Sequence, residues 1–227
     1  MTTYVIIVAG GKGSRMNPDS HRDQPKQFLP LKGKAILQHT LEAFHKVDPT
    51  FKYIVVLPEQ HIEYWNNHCA MKKFPVQHTV VKGGEERFHS VRNALESITG
   101  KGIVLIHDGV RPLVSKQTIK RVIETTQKSG NAIPVLPVTE SLRKHELNVS
   151  QAVNRKNMYT VQTPQGFTVE MIKEAYRLPY DGTVTDDAGL VEKCGVKINI
   201  VEGNRENIKI TDQFDLKLAE LFFDSQV

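Results

Sequence analysis

Short apolar runs recur along the chain and predict strands. They are rich in β-branched residues and lie at 4–8, 53–57, 78–81, 103–107 and 132–138. Most are apolar throughout instead of alternating with polar residues, which is typical of parallel strands whose two faces are both covered. Between the runs, apolar residues recur at helical spacing, as in Ile36, Leu37, Leu41 and Phe44. The alternation predicts an α/β fold: a Rossmann-like, open, mostly parallel sheet with helices on both faces.

One segment, at about 140–155, breaks this alternation. It is polar, has no clear period and contains Lys-His-Glu-Leu-Asn at 144–148, which predicts a turn at the tip of a protruding β-arm. No repeat or low-complexity linker divides the chain, so we expect one domain over 1–227 with the arm inserted in it. After the arm we expect a strand at 159–162, helices at 169–176 and 186–194, a strand at 197–201 and a final helix at 212–223 capped by Thr211.

The composition is that of an ordinary globular chain with a modest basic excess. The 227 residues are 39% hydrophobic and 24% charged, and the net charge is +5. No run of like charge exceeds three residues, and clustered cations interleaved with aromatic residues are missing, which argues against nucleic-acid binding. A basic excess of this size suits a small anionic substrate.

Other features predict a cytoplasmic protein that holds no metal of its own. Cys69 and Cys194 are too few for a disulfide framework. No apolar stretch approaches the ~20 residues of a membrane-spanning helix, and the N-terminus lacks the basic region and cleavage site of an export signal. His61, His68 and Cys69 share no metal-site spacing.

The most informative stretch follows the first predicted strand. There Gly10, Gly11 and Gly13 are joined by the cation Arg15, and Lys26 follows on an extended segment. Glycines let backbone N–H groups approach a polyphosphate, and the cations supply countercharge. The spacing fits neither the Walker loop nor the full dinucleotide fingerprint. The stretch is therefore a third kind of phosphate loop or merely a turn after a strand.

Two more loops follow predicted strands. Asp108 and Arg111 come after the run at 103–107. The carboxylate suits a hydroxyl or a metal and the guanidinium suits a phosphate, although a solvated turn with a local ion pair is the alternative. The loop from Gly83 places Ser90 in the first turn of the next helix, where backbone groups and a hydroxyl could recognise the edge of a base. Glycines followed by two glutamates are also a common helix entry.

Taken in order, the motifs resemble one family closely, the 2-C-methyl-D-erythritol 4-phosphate cytidylyltransferases of the non-mevalonate isoprenoid pathway. They extend from residue 5 to residue 211. The motifs are Ala-Gly-Gly-Lys-Gly-Ser-Arg-Met at 9–16, Pro-Lys-Gln at 25–27, Gly-Gly-Glu-Glu-Arg at 83–87, His-Asp-x-x-Arg-Pro at 107–112, Gln-Thr-Pro-Gln at 162–165, Thr-Asp-Asp-Ala at 185–188 and Asn-Ile-Lys-Ile-Thr at 207–211.

The resemblance implies an enzyme, a nucleotidyltransferase that uses CTP and methylerythritol phosphate. The products are the CDP-linked sugar alcohol and pyrophosphate, and Mg²⁺ is held mainly by the CTP phosphates. The substrate phosphate attacks the α-phosphorus, so the site needs charge neutralisation and alignment more than a strong base. The family also implies that the arm at 140–155 builds a homodimer and that the arginine at its base serves the partner's site.

The resemblance further implies roles for individual residues. Arg15 and Lys26 stabilise charge on the CTP phosphates, and Arg155 and Lys209 hold the incoming phosphate. The implied substrate-binding residues are Asp108, Arg111, Ser141, Thr163 and Thr185. The implied CTP-binding residues are Ala9, Gly10, Gly11, Gly13, Gly84, Glu85, Arg87 and Ser90.

The chain departs from the family pattern at two places near the arm. Glu140 and Ser141 stand where Asp-Thr is usual, and Asn154 replaces the aspartate expected before Arg155. The second departure weakens a possible orienting ion pair for Arg155.

Two other functions stay open at this point. A ribitol-5-phosphate cytidylyltransferase would share the same loops and differ in the acceptor pocket. A non-catalytic regulator that binds nucleotide sugars would have the same fold, but it has no need of cations that neutralise a transition state.

Overall fold

The computed structural model describes residues 1–10 and 25–224. The predicted phosphate-loop residues Gly11, Gly13 and Arg15 lie outside the described residues. The strands are β1 (Thr3–Val8), β2 (Pro30–Leu31), β3 (Lys34–Ala35), β4 (Lys52–Leu57), β5 (His78–Lys82), β6 (Ile103–Asp108), β7 (Asn131–Pro137), β8 (Leu142–Glu146), β9 (Val149–Val153), β10 (Tyr159–Val161), β11 (Gln165–Thr168) and β12 (Ile200–Glu202). The helices are α1 (Ile36–His45), α2 (Glu59–Met71), α3 (Arg87–Glu96), α4 (Lys116–Ser129), α5 (Val169–Ala175), α6 (Asp187–Lys193) and α7 (Gln213–Asp224), with a 3-10 turn at Lys26–Phe28.

A single eight-stranded sheet organises these elements. The central strand β1 pairs in parallel with β4 on one side and β6 on the other, and β5 extends the parallel part beyond β4. On the far side, β11 runs antiparallel between β6 and β7, β10 continues along β7, and β12 pairs in parallel with β7. The predicted open, mostly parallel α/β sheet is therefore confirmed.

The strand pattern explains why both faces are covered. Successive side chains of β1 point to opposite faces, and every residue from Thr3 to Ile7 is buried. Val5 and Ile7 pack in one apolar cluster with α1, α2 and α4. Ile6 packs in a second cluster with α3, α5 and α6. A strand that is apolar on both faces needs helices on both faces, and the crossovers supply them.

The predicted arm is a β-hairpin of β8 and β9 that forms its own two-stranded sheet. Leu147 and Asn148 connect the strands with φ values of 48° and 63°, the left-handed pair typical of a type I′ turn. Most hairpin side chains are exposed.

Three local features differ from the predictions. Strand β11 was not predicted, because its four residues begin with Gln165 and Gly166 and so do not form an apolar run. Thr211 does not cap the last helix: Asp212 accepts from the Asp215 N–H, and the Asp215 carboxylate accepts from the backbone N–H groups of Thr211 and Asp212. The strand predicted at 197–201 begins later, at Ile200. Within the described ranges, no helix is both long and apolar enough to cross a membrane.

Candidate active site

Backbone hydrogen bonds draw the loops together at the carboxyl ends of the central strands. The Ala9 N–H donates to the Val56 carbonyl, and the Gly109 N–H donates to the Val8 carbonyl, both within 2.9 Å. Gly109 allows this approach, because a Cβ there would stand 2.9 Å from Ala9 Cβ. The loops after β1 and β6 thus begin side by side at the carboxyl edge of the sheet, where ligands of open α/β sheets bind.

The residues predicted to recognise the nucleotide base lie at one side of this edge. The buried Ser90 hydroxyl accepts a 3.1 Å hydrogen bond from the Gly84 N–H. A Cβ on Gly83 would stand 3.0 Å from Ser90 Oγ, and one on Gly10 would stand 3.5 Å from the same atom. The structure therefore brings Gly10, Gly83, Gly84 and Ser90 together, with Ala9 and Glu85 in the same two loops.

The segment that carries Lys26 is anchored to the end of β1. Gln27 is buried and its amide donates a 2.8 Å hydrogen bond to the Ala9 carbonyl. Phe28 stacks on the buried Trp65 of α2, with ring centroids 5.8 Å apart and an interplanar angle of 17°. The two residues that directly follow Lys26 thus hold this segment near Ala9, at the end of β1.

At the end of β6, the carboxylate of Asp108 is surrounded by three cations. Lys209 Nζ and Arg111 Nε each lie 3.1 Å from Asp108 Oδ2, and Arg87 Nε lies 3.7 Å from Oδ1. Burial would raise the pKa of Asp108, but the charges of Arg87, Lys209 and Arg111 outweigh it and the pKa is lowered. Asp108 is therefore a stable anion at neutral pH.

A chain of hydrogen bonds fixes the backbone under this carboxylate. The Asp108 N–H donates to Thr163 Oγ1 at 3.2 Å, and the Thr163 hydroxyl lies 2.9 Å from Nδ1 of His107. His107 Nε2 lies 3.0 Å from the Arg111 carbonyl, which can only accept, so Nε2 carries the proton. Thr163 therefore donates to Nδ1, and its hydroxyl proton is used inside the protein. Thr163 was predicted to bind the substrate, and in the structure its hydroxyl bonds to His107 and to the Asp108 backbone.

Lys209 is held by a tightly bonded loop. Asn207 is fully buried, its amide donates to the Thr163 carbonyl at 2.7 Å, and its carbonyl accepts from Arg111 Nη1 at 2.8 Å. The Ile210 N–H donates to the Val110 carbonyl. These bonds tie the loop after β12 to the loop after β6, so Lys209 and Arg111 reach Asp108 from two loops that are far apart in the sequence.

These residues face a cavity of about 530 Å³, which we call the Asp108 cavity. Five predicted site residues line it together with Arg87. The lining residues are Arg87, Asp108, Arg111, Ile133, Val161, Gln162, Thr163, Gln165, Thr185, Asp186, Ala188, Glu192, Ile198, Ile200 and Lys209. Arg87 was predicted to bind CTP beside the loop that recognises the base. Its guanidinium instead lies between Asp108 and Asp187 and lines this cavity.

Two predicted residues do not join the others within one chain. Arg155 is exposed at the base of the arm and donates to the Thr139 carbonyl, and Ser141 is exposed at the start of the hairpin. Neither lines the Asp108 cavity.

Sequence reasoning gave no role to Asp187, which pairs with Arg87, or to Tyr176, whose hydroxyl donates to Asp187. The only signal was the second aspartate of the motif at 185–188, whose partner Arg87 lies 100 positions away.

The side chains that could ligate a metal are spread out in the described part of the chain. Over residues 1–10 and 25–224, no group of three or more His, Cys, Asp or Glu side chains is arranged to hold a metal ion. The Asp108 carboxylate already contacts three cations, so a divalent ion would have to displace one of them.

Comparisons with known proteins cover nearly the whole chain. A family model described as 2-C-methyl-D-erythritol 4-phosphate cytidylyltransferase matches residues 3–225. Relatives of that name from Bacteroides thetaiotaomicron and Porphyromonas gingivalis are 48% identical over 219 residues and 45% identical over 224 residues, covering at least 96% of this chain and 98% of theirs. Crystal structures of that name from Thermus thermophilus and Francisella tularensis align over the full length of both chains, with TM-scores of 0.78 and 0.81 at 33% and 32% identity.

We expect His107 to make folding sensitive to acid. Burial lowers the pKa of its imidazole from 6.5 to about 4. Between about pH 4 and pH 6.5, the unfolded chain binds a proton on His107 and the folded chain does not. The free energy of unfolding should therefore fall as the pH is lowered, by at most about 1.4 kcal/mol per pH unit.

Urea unfolding across this pH window tests the assignment. His107→Gln should make the pH dependence shallower, whereas the matched substitution His145→Gln on the exposed hairpin should leave it unchanged. A wild-type pH dependence in the His107 variant would contradict the assignment.

Proposed function

The chain belongs to the 2-C-methyl-D-erythritol 4-phosphate cytidylyltransferase family, and we propose that it transfers CMP from CTP to 2-C-methyl-D-erythritol 4-phosphate beside the Asp108 cavity. The observation that carries this proposal is the group of three cations around one buried carboxylate at the end of β6. A phosphate-bearing sugar alcohol needs cations for its phosphate and an acceptor for its hydroxyl groups. The cavity offers both, next to the glycine loops.

In this reaction a phosphate oxygen of the sugar alcohol attacks the α-phosphorus of CTP. A new P–O bond forms, the bond between the α- and β-phosphates breaks, and its electron pair leaves with pyrophosphate. Both reactants are anions, so the main requirements are alignment and neutralisation of charge. We assign Lys26 to the CTP phosphates, because its segment is anchored beside Ala9 at the end of β1. Arg15 has the same proposed role.

The acceptor would bind on the other side of the same edge. Lys209 is 42% exposed in its side chain while it contacts the buried Asp108, so it can reach a phosphate in the cavity. The Asp108 carboxylate accepts hydrogen bonds from hydroxyl groups, and Arg111 and Thr185 complete the proposed contacts.

We propose that Mg²⁺ arrives as a complex with CTP and is part of that substrate. The cations around Asp108 support this, because they leave its carboxylate little capacity for a further positive ion. The metal would neutralise the departing pyrophosphate, and the cations of the chain would hold the complex in line.

We further propose that two chains form a homodimer through the arm at 140–155, inserted in a single catalytic domain of a cytoplasmic enzyme. Leu147 is 97% exposed and lies in the left-handed region, which is an unfavourable state for a bulky apolar residue. Val149, Met158, Tyr159 and Val161 are also largely exposed. An apolar surface of this kind is typical of an interface. Arg155 and Ser141 would then contact the partner's acceptor.

Pyrophosphate release tests the substrate directly. With CTP and Mg²⁺, we expect rapid release with 2-C-methyl-D-erythritol 4-phosphate and little release with ribitol 5-phosphate. Release with ribitol 5-phosphate alone would keep the chemistry and overturn the acceptor. Release with neither would overturn the proposed function.

Substitution of the two proposed cations should separate their roles. Lys26→Ala should lower kcat, at a cost of roughly 2–4 kcal/mol in transition-state stabilisation, with little change in the KM for CTP. Lys209→Ala should raise the KM for the acceptor. Lys34→Ala is the matched control, because Lys34 only pairs with Glu42 on the surface. A Lys26→Ala enzyme with normal kcat would refute the role of Lys26.

Mixing of two weakened variants, at an acceptor concentration below their raised KM, tests whether Arg155 acts across the dimer. Arg155→Ala and Lys209→Ala homodimers should each be weak. After subunit exchange, half of the dimers are mixed and each carries one intact site. We expect activity to recover to about a quarter of the wild-type value. No recovery, with exchange shown by mass spectrometry, would mean that Arg155 does not complete the partner's site.

A further inference from the structure

Asp187 is the most deeply buried charged group near the cavity, and its carboxylate is not part of the lining. The side chain is fully buried in the first turn of α6. Oδ1 accepts from Arg87 Nη1 at 2.9 Å and Oδ2 accepts from Arg87 Nη2 at 2.6 Å. The Tyr176 hydroxyl donates to Oδ1 at 2.6 Å. Both oxygens are therefore engaged by donors from two other elements.

This pairing orients the guanidinium of Arg87. The two terminal nitrogens face Asp187, which leaves Nε on the side of Asp108, 3.7 Å from its Oδ1. Arg87 thus lies between two carboxylates, one closed inside the protein and one facing the cavity. A bidentate pair fixes a planar group in both position and rotation, which a single contact does not.

The surroundings keep this arrangement rigid. A buried carboxylate is costly without good partners, so Asp187 strongly disfavours any rotation of Arg87. The Tyr176 ring stacks on Phe88, the residue after Arg87, with centroids 4.8 Å apart. Burial would lower the pKa of Arg87, but the adjacent Asp187 carboxylate outweighs it and raises the pKa, so the guanidinium stays charged.

We propose that Asp187, supported by Tyr176, is a positioning residue for the transfer reaction: it holds Arg87 so that Asp108 keeps the orientation in which it binds the acceptor. The proposal rests on the proposed function, because it takes Asp108 as an acceptor contact. With Asp187 neutralised, the terminal nitrogens of Arg87 are free to turn toward Asp108. They would then compete with Lys209 and Arg111 for its oxygens, and the acceptor would lose its partner.

The kinetic test compares Asp187→Asn with wild type. We expect the KM for the acceptor to rise about tenfold or more, while the KM for CTP and kcat change much less. Tyr176→Phe keeps the ring and removes one hydrogen bond, so its effect should be smaller and in the same direction. Asp181→Asn is the matched control, because it removes a surface ion pair with Lys193, which lies on α6 as Asp187 does. A uniform loss of kcat with unchanged acceptor KM would overturn the proposal.

A second variant separates positioning from stability. Asp187→Asn leaves Arg87 without its buried partner, so the Tm should fall. Arg87→Gln should also raise the acceptor KM by itself. If Asp187 acts through Arg87, the Tm of the double variant Asp187→Asn/Arg87→Gln should be higher than that of Asp187→Asn. Its acceptor KM should equal that of Arg87→Gln alone. Additive increases in the acceptor KM would show that Asp187 acts by another route, and would refute the proposal.

NMR of ¹⁵N-arginine-labelled protein gives a readout that does not need turnover. In wild type and Asp181→Asn, the Nη signals of Arg87 should be separate and slowly exchanging, as expected for a fixed bidentate pair. They should merge in Asp187→Asn. Merged signals already in wild type would refute the positioning role. Absence of pyrophosphate release by wild type, with separate signals, would refute the proposed function and the kinetic role while leaving the pairing established.

Discussion

The structure of this site depends on one constraint: the carboxylate of Asp108 at the end of a completely buried strand must stay charged. Strand β6 is buried at every residue, so its last side chain has little access to water. A carboxylate in such a place would take up a proton unless cations compensate it. The cations come from the loops after β5, β6 and β12, which are remote in sequence. Neutralising one group therefore brings three loops to one point.

The same constraint shapes the chemistry. The cations that keep Asp108 ionised also face the cavity, and Lys209 keeps part of its surface exposed. A phosphate bound in the proposed site would meet cations that Asp108 already holds in place. Preorganised charge of this kind is effective because no further energy is spent on turning solvent or side chains during the reaction. Stability of the loops and recognition of the anion thus have one physical origin.

Much of this arrangement could be predicted from the sequence, because it follows local patterns. Apolar runs predicted the strands, and polar residues after them predicted the loops with Asp108, Arg111 and Ser90. The location of Arg87 could not be predicted, since its partner Asp187 is 100 positions away, on another helix, and no local pattern in the sequence links the two residues. Strand β11 was missed because its pairing partners, and not its own composition, make it a strand.

The histidine beneath the site supports a mechanism without a general base. Both ring nitrogens of His107 are occupied, one by the Arg111 carbonyl and one by the Thr163 hydroxyl, and the residue has no exposed surface. It cannot take a proton from a substrate without breaking the bond that supports Asp108. A phosphate nucleophile is already ionised near neutral pH and needs no such base. With the acceptor in the proposed site, its selection would come from the fit between its hydroxyl groups and fixed side chains, and the walls of the Asp108 cavity would determine which sugar phosphate reacts.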